Sequence, residues 1–545
     1  MLVQPDGTWN RTTISREPLA DTALDLINGW VSSCLANHPQ CNKKHFPNVI
    51  PSRLINVGPS DGTQEPRLCE GPVQGRYIAL SHCWGGSLPV QTTSSNISQH
   101  KKSLPFSTLP KTFQDAVTFS RRLDVRYLWI DSLCIIQDSS SDWRLESSKM
   151  AGIYGNALLS LAATLGVNSH SGFLSKREDG VGPIPIVPLA VNGLPESEQN
   201  YWLYIFPNPR TWEAEVAASR WNGRGWTLQE RLLSPRVLHV CSQQHFWECQ
   251  TTTLAEGGRI GDTTLEHVDE RHFKRLLGDA SVIPAPKPVH NYHNPELSSH
   301  MPDRPLTDKE NAFLRWHQIV VDFTARSLTK QSDKLVALAG LSEAWKSMVH
   351  DEYLAGLWRS DLTRGLLWQA DRGLRADSGL ATSRPSYHRA PSWSWASLDG
   401  RVYKYYMNDF IHIQEEFGRR PAFVLDCDLQ EKQVQTADGP VSSIVGSLKM
   451  VAQCKNYRKL KKLEHDWVVF YDVENTQASI KWKRTLVVYI ATWHGGSNIR
   501  PLDYALLLHA NEDKNQRGYR RIAFLRPRNM EPKVRDWKSQ EVLIW

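Results

Sequence analysis

The rhythm of hydrophobic and polar positions changes several times along this chain. Asp21 to Ala36 repeats at helical spacing and predicts a helical leader, and the stretch from there to residue 70 reads as a polar, Pro-containing connection. From residue 71 the pattern alternates. Tyr77 to Leu80 is a short apolar run, Pro110 opens a helix with Phe113, Ala116, Val117 and Leu123 on one face, and Tyr127 to Ile130 is a second unbroken run. A helix from about Asp142 to Tyr154 and a strand from Leu158 to Ala163 follow. Continuous apolar runs separated by amphipathic helices predict parallel strands covered on both faces, so the fold class expected for 71–250 is α/β with a parallel sheet. Arg236 to Val240 and His245 to Cys249 read as its last strands.

Beyond residue 250 the periodicity lapses. Residues 251–310 are rich in Pro and His and read as a linker or long loop. Helical spacing returns over 311–390, with helices expected at Asn311 to Leu328, Asp333 to Val349 and Tyr353 to Gln369. The Trp-rich run Ala390-Pro391-Ser392-Trp393-Ser394-Trp395 turns the chain into a β-rich region, 391–545. Its strands are expected at Val468 to Tyr471, Leu486 to Thr492, Tyr504 to His509 and Arg521 to Leu525.

Composition narrows the function classes. In 545 residues, 40% are hydrophobic and 22% charged, and Lys+Arg exceed Asp+Glu by 64 minus 57, or +7. Disorder needs lower hydrophobicity, and nucleic-acid binding a denser basic excess. The cluster Lys455, Arg458, Lys459, Lys461 and Lys462 has only Tyr457 among it for stacking and reads as a solvated face. No apolar run reaches the 18 residues of a membrane span, so no nucleic-acid or membrane partner is expected, and the chain reads as soluble and cytoplasmic. Its nine cysteines include no CxxC pair and suit a reducing compartment. Cys34, His38 and Cys41, with His45 beyond, have ligand-type spacing. Two buried thiols at a helix end explain it better than zinc does, and no metal is assigned.

Ligands in wound α/β sheets bind beyond the carboxyl ends of the strands, which directs attention to Ser81 to Gly86, to Asp131 and to the helix carrying Trp226 and Glu230. Asp131 ends an apolar run, as either a ligand contact or a turn cap. Glu146 borders the buried stripe of its helix and needs either a basic partner or a purpose. Trp226 and Glu230 are four apart, giving either an aromatic plate one turn from a carboxylate or a buried Trp beside a solvated Glu. Adjacent residues on a strand face opposite ways, so His82 and Cys83 do not make a base and thiol pair.

Four ordered motifs carry a family resemblance: Arg76-Tyr77-Ile78-Ala79-Leu80-Ser81-His82-Cys83-Trp84-Gly85-Gly86; Leu109-Pro110-Lys111-Thr112-Phe113; Tyr127-Leu128-Trp129-Ile130-Asp131-Ser132-Leu133-Cys134 with Asp142-Trp143 and Glu146; and Arg224-Gly225-Trp226-Thr227-Leu228-Gln229-Glu230. Together they closely resemble the fungal heterokaryon incompatibility (HET) domain, which usually has Tyr where this chain has His82. The resemblance implies a cell-death effector of non-self recognition. HET domains are in turn remotely similar to TIR domains, flavodoxin-like folds of which several cleave NAD at the nicotinamide bond. By that similarity Glu230 matches the catalytic glutamate of a W-C-x-x-E motif, with Thr227 in place of the cysteine. Ser81, Trp84, Gly85, Asp131, Glu146, Arg224 and Trp226 would line the site. NAD would be substrate rather than cofactor, and no metal is required. The partners implied are a second copy of the chain or another incompatibility protein. The alternative is a non-enzymatic module acting through self-assembly.

Overall fold

The computed structural model describes residues 14–43, 46–73, 75–86, 90–177, 184–189, 201–205, 209–258, 274, 307–371, 382–404, 421–436, 439–456, 460–473, 480–493, 502–512, 517–527 and 537–545. The chain divides into two compact units, Met1–Leu265 with Asp269–Ile283, and Glu266–Val268 with Pro284–Trp545. His45, Arg458, Lys459 and most of the expected linker lie outside the described residues.

The first unit is built on strands β1 (Arg53–Asn56), β2 (Arg67–Glu70), β3 (Tyr77–Ser81), β4 (Tyr127–Trp129), β5 (Leu159–Ala162), β6 (Ile184–Leu189), β7 (Tyr201–Ile205), β8 (Arg236–Val240), β9 (His245–Cys249) and β10 (Thr253–Ala255). Its helices are α1 (Asp21–Asn37), α2 (Pro39–Asn42), α3 (Ile97–Lys102), α4 (Lys111–Arg122), α5 (Asp131–Cys134), α6 (Ser140–Asn156) and α7 (Gly225–Leu233). Eight strands form one sheet in the order β10-β9-β8-β5-β3-β4-β1-β2, and β6 and β7 make a separate hairpin. The four central strands are parallel, with Ile78 beside Leu128 and Leu159, and Leu161 beside Leu238. Every residue of β3, β5 and β8 is buried, so the unbroken apolar runs follow from cover on both faces.

The sheet is mixed rather than purely parallel: β1 and β2 add antiparallel at one edge, and β9 and β10 at the other. Residues 53–56 and 67–70, read from sequence as a polar connection, are therefore sheet strands, and α1 buries Ile27, Val31 and Cys34 in the same core. Counted along the chain, the parallel strands lie in the order second, first, third, fourth. The winding reverses between β3 and β5, and a crevice opens at such a reversal outside the carboxyl ends of the strands.

Local chemistry sets the helix ends. Pro110 precedes α4, whose Asp115 accepts from the Phe173 and Leu174 amides at 2.7 and 3.0 Å and so ties the loop after β5 to the helix. Ser139 caps α6 by accepting from the Asp142 amide at 3.3 Å. Among the described residues, no helix is long and apolar enough to cross a membrane.

The second unit begins with helices Asp308–Ala325, opened by a Thr307/Glu310 capping box, and Val336–Val349. The helix expected over Tyr353 to Gln369 does not form. Ala355 and Gly356 take positive φ of 49° and 102° and turn Tyr353–Leu354 back on Leu357–Trp358. Gly356 is held there because its carbonyl accepts from the indoles of Trp316 and Trp395 at 3.0 and 3.1 Å. Burying three bulky rings of this cluster (Trp316, Trp358 and Trp395) outweighs local helix propensity. Arg389 threads the Trp-rich turn, donating to the Ala396 and Leu398 carbonyls at 2.7 Å each, and Lys334 donates to the Leu398 carbonyl at 2.6 Å. A seven-stranded, mainly antiparallel sheet follows, in which Phe423–Thr436 pairs with Gly439–Lys455 as a long hairpin. The expected strands appear as Trp467–Tyr471, Thr485–Trp493, Leu502–Ala510 and Tyr519–Pro527.

Candidate functional site

Ser81 is the last residue of β3, on one side of the winding reversal, and its hydroxyl both donates and accepts. It donates to the Glu230 carboxylate and accepts from the Trp221 indole at 2.7 Å. Tyr154, from α6, donates to the Leu80 carbonyl at 3.1 Å, and its hydroxyl lies beside the Glu230 carboxyl. Three elements thus converge on one carboxyl group, which is only 4% exposed.

A second carboxylate stands beside it. Asp131, at the start of α5, accepts from the Trp84 indole at 2.8 Å and from the Ser132 amide at 2.7 Å. Arg224, preceding α7, donates to the His82 carbonyl, and its guanidinium attracts both carboxylates. Burial raises Glu230 to about 7, against the pull of Arg224 and of the Ser81 hydrogen bond, and Asp131 pushes it further up. Burial likewise raises Asp131, with Arg224, Ser132 and Trp84 opposing. One guanidinium cannot fully offset two desolvated carboxylates, so near neutrality Glu230 passes between acid and base. Such a group can give or take a proton, or place negative charge against a developing cation. Asp131, Trp84 and Arg224 are partly exposed, whereas Ser81 and Glu230 are buried.

Of the residues singled out by sequence, Ser81, Glu230, Asp131, Trp84 and Arg224 come together. Glu146 does not join them: its carboxylate is fully buried against Ser52 at 2.5 Å and Lys149 at 3.1 Å, the latter on its own helix. Trp226 is half-buried and packs against the domain core. Gly85 has a steric reason to be glycine, since φ is +75° and an added Cβ would stand 2.0 Å from Asn168 Cβ. Gly85→Ala is expected to lower the melting temperature, by the equivalent of about 1–3 kcal/mol, in a thermal unfolding scan.

His82, placed at the rim by the sequence reading, is instead buried edge-on against Phe113 at 5.2 Å, and burial and Arg224 push it down to about 3. Cys83 packs on the other side with Trp212 and Trp221, and burial raises its thiol. The two therefore form no nucleophilic pair. Sequence reasoning missed the partners Trp221 and Tyr154. Tyr154 ended a helix already noted, but nothing in spacing reveals which indole or phenol reaches a strand end 140 or 73 residues away.

Residues 77–230 match the family model described as heterokaryon incompatibility protein (HET). The chain therefore carries a HET domain, whose matched span runs from the first residue of β3 to Glu230. No curated protein and no solved structure matches the chain.

Proposed function

We propose that this chain, which carries a HET domain over residues 77–230, is an effector of heterokaryon incompatibility that acts by cleaving NAD to nicotinamide and ADP-ribose. The observation that carries the chemistry is Glu230: a carboxyl at the winding reversal, beside Ser81 and Asp131, raised to about 7 by its surroundings. The strand order of the parallel core supports the likeness to flavodoxin and TIR folds, because their ligand crevice lies at the same kind of reversal.

In the reaction the bond between ribose and nicotinamide breaks, and nicotinamide keeps the electron pair as a neutral ring. Positive charge builds on the ribose, water adds to the anomeric carbon, and one proton is released. Ionised Glu230 stabilises the oxocarbenium-like state and takes the proton from water. Ser81 and Tyr154 fix its orientation, Trp84 walls the ring, and Arg224 answers the charge of the diphosphate. Purified full-length protein incubated with NAD, alone and at rising concentration, is expected to release nicotinamide as measured by chromatography. Absence of release at every concentration would exclude the enzymatic reading and leave self-association or recruitment of another incompatibility protein as the mode of action.

A further inference from the structure

We propose that the first unit binds one zinc ion through Cys34, His38, Cys41 and Cys249. The sequence offers three ligands in a C-x3-H-x2-C run; the fold brings the fourth, which lies more than two hundred residues further on. Cys34 is near the end of α1, His38 is the residue that ends it, Cys41 lies in α2, and Cys249 closes β9. One ligand atom from each lies within 4.8 Å of all the others, and Cys249 Sγ is 3.5 Å from His38 Nδ1. Around tetrahedral zinc, with bonds of about 2.3 Å to sulfur and 2.0–2.1 Å to nitrogen, neighbouring ligand atoms stand about 3.5–3.8 Å apart. Side-chain rotations of a few tenths of an ångström to one ångström close the remaining gap.

The surroundings suit thiolates rather than thiols. The Thr251 and Thr252 amides point at Cys249 Sγ at 3.4 and 3.3 Å, and the Thr251 hydroxyl is 3.6 Å from Cys41 Sγ. Arg236 donates to the Cys41 carbonyl at 3.2 Å and also bonds Asn42, placing a cation beside a site whose three thiolates and one zinc leave a net negative charge. All three thiols are buried, and His38 is partly exposed. A disulfide would use two of the three sulfurs and leave the third and the imidazole without purpose. Three sulfurs and one nitrogen in tetrahedral array select zinc over the oxygen-seeking cations.

Four protein ligands leave no open position, which makes the site structural rather than catalytic. Its location agrees: Cys249 pairs with Arg236 at the amino end of β8, whereas Ser81 lies at the carboxyl end of β3. The ion would lock α1 and α2 onto β9, joining the start of the unit to the far edge of its sheet.

The test uses the full chain, produced with zinc in the medium and purified without chelator. Elemental analysis is expected to find about one zinc per chain. Cobalt in place of zinc should give the intense visible bands of a tetrahedral site together with thiolate-to-metal charge transfer. Cys249→Ser should lose the metal, Cys69→Ser, at a cysteine outside the cluster, should keep it, and chelation should lower the melting temperature of the parent. Folded parent protein holding less than about a tenth of an equivalent of zinc would overturn the proposal. So would retention of the metal by Cys249→Ser, or cobalt spectra without thiolate bands.

Discussion

Glu230→Gln is expected to reduce nicotinamide release from NAD at least about 100-fold, the usual cost of removing a group that works on developing charge or a proton in flight. The amide keeps the size and a hydrogen-bonding oxygen for Ser81, so circular dichroism should show an intact fold. The parent should also gain activity as pH rises through about 7, because the ionised carboxylate is the working form and burial delays its ionisation to that range. Stability should move the other way. The folded-state pKa lies above the ordinary value of 4.5, so the native protein holds a proton that the unfolded chain releases between those two pH values. Stability from Glu230 is present in full below about 4.5 and is lost as pH rises through about 7. The Gln variant, which resembles the protonated form, should therefore match the parent near pH 4 and exceed it by about 3 kcal/mol at pH 8, visible as a melting temperature several degrees higher. A Gln variant that hydrolyses NAD like the parent would remove Glu230 from the mechanism. One that melts lower at pH 8 would show that the carboxylate is not strained by burial.

The largest loss of stability should come from separating Arg231 and Glu248, which face each other next to the site. Arg231 Nε and Nη2 donate to the two carboxylate oxygens at 2.9 Å each, and both side chains are almost wholly buried. Burial would raise Glu248, but Arg231, Lys274 and the His239 hydrogen bond together hold it well below the ordinary carboxylate range. His239, pushed down to about 4 by burial, is neutral at pH 7, so its 3.4 Å contact is a hydrogen bond and not a second ion pair. Glu248→Ala removes the buried carboxylate that holds Arg231 and attracts Lys274, and should cost about 3–5 kcal/mol in chemical denaturation. Because the folded pKa is depressed, this stability exists above pH 4.5 and is lost as pH falls. The difference between variant and parent should therefore shrink in acid. A loss below about 1 kcal/mol at pH 7 would mean that the pair is solvated.

The sequence was most informative where burial leaves a periodic trace. The parallel strands and helices of the first unit were readable because two-sided cover forces unbroken apolar runs at β3, β4, β5 and β8. The edge strands β1 and β2 were not, since Arg53 and Asn56 look polar yet are buried through bonds such as Arg53 Nη2 to Asp142 at 2.5 Å. At the site, carboxylates at strand and helix ends could be named, but their partners come from long-range packing. The same limit hid Cys249 from the Cys34, His38 and Cys41 run. Tyr353 to Gln369 misled because its apolar spacing serves a tryptophan cluster rather than one helical face.

The long hairpin of the second unit bears on how the protein avoids precipitating. Among the described residues Phe423–Thr436 stands at the end of the sheet order beside Gly439–Lys455 and forms an outer strand, 14 residues long, with Phe423 68% and Leu425 43% exposed. A naked edge of that length invites copies to add strand to strand. Here Asp426, Asp428, Glu431 and Lys432 interrupt it, and a register shift between Val424 and Asp426 breaks its regularity at Leu425 itself. Two copies meeting along this edge would have to draw these charges into a medium of falling dielectric. The strand is thus guarded against runaway polymerisation, and solubility, as much as shape, is written into its charges.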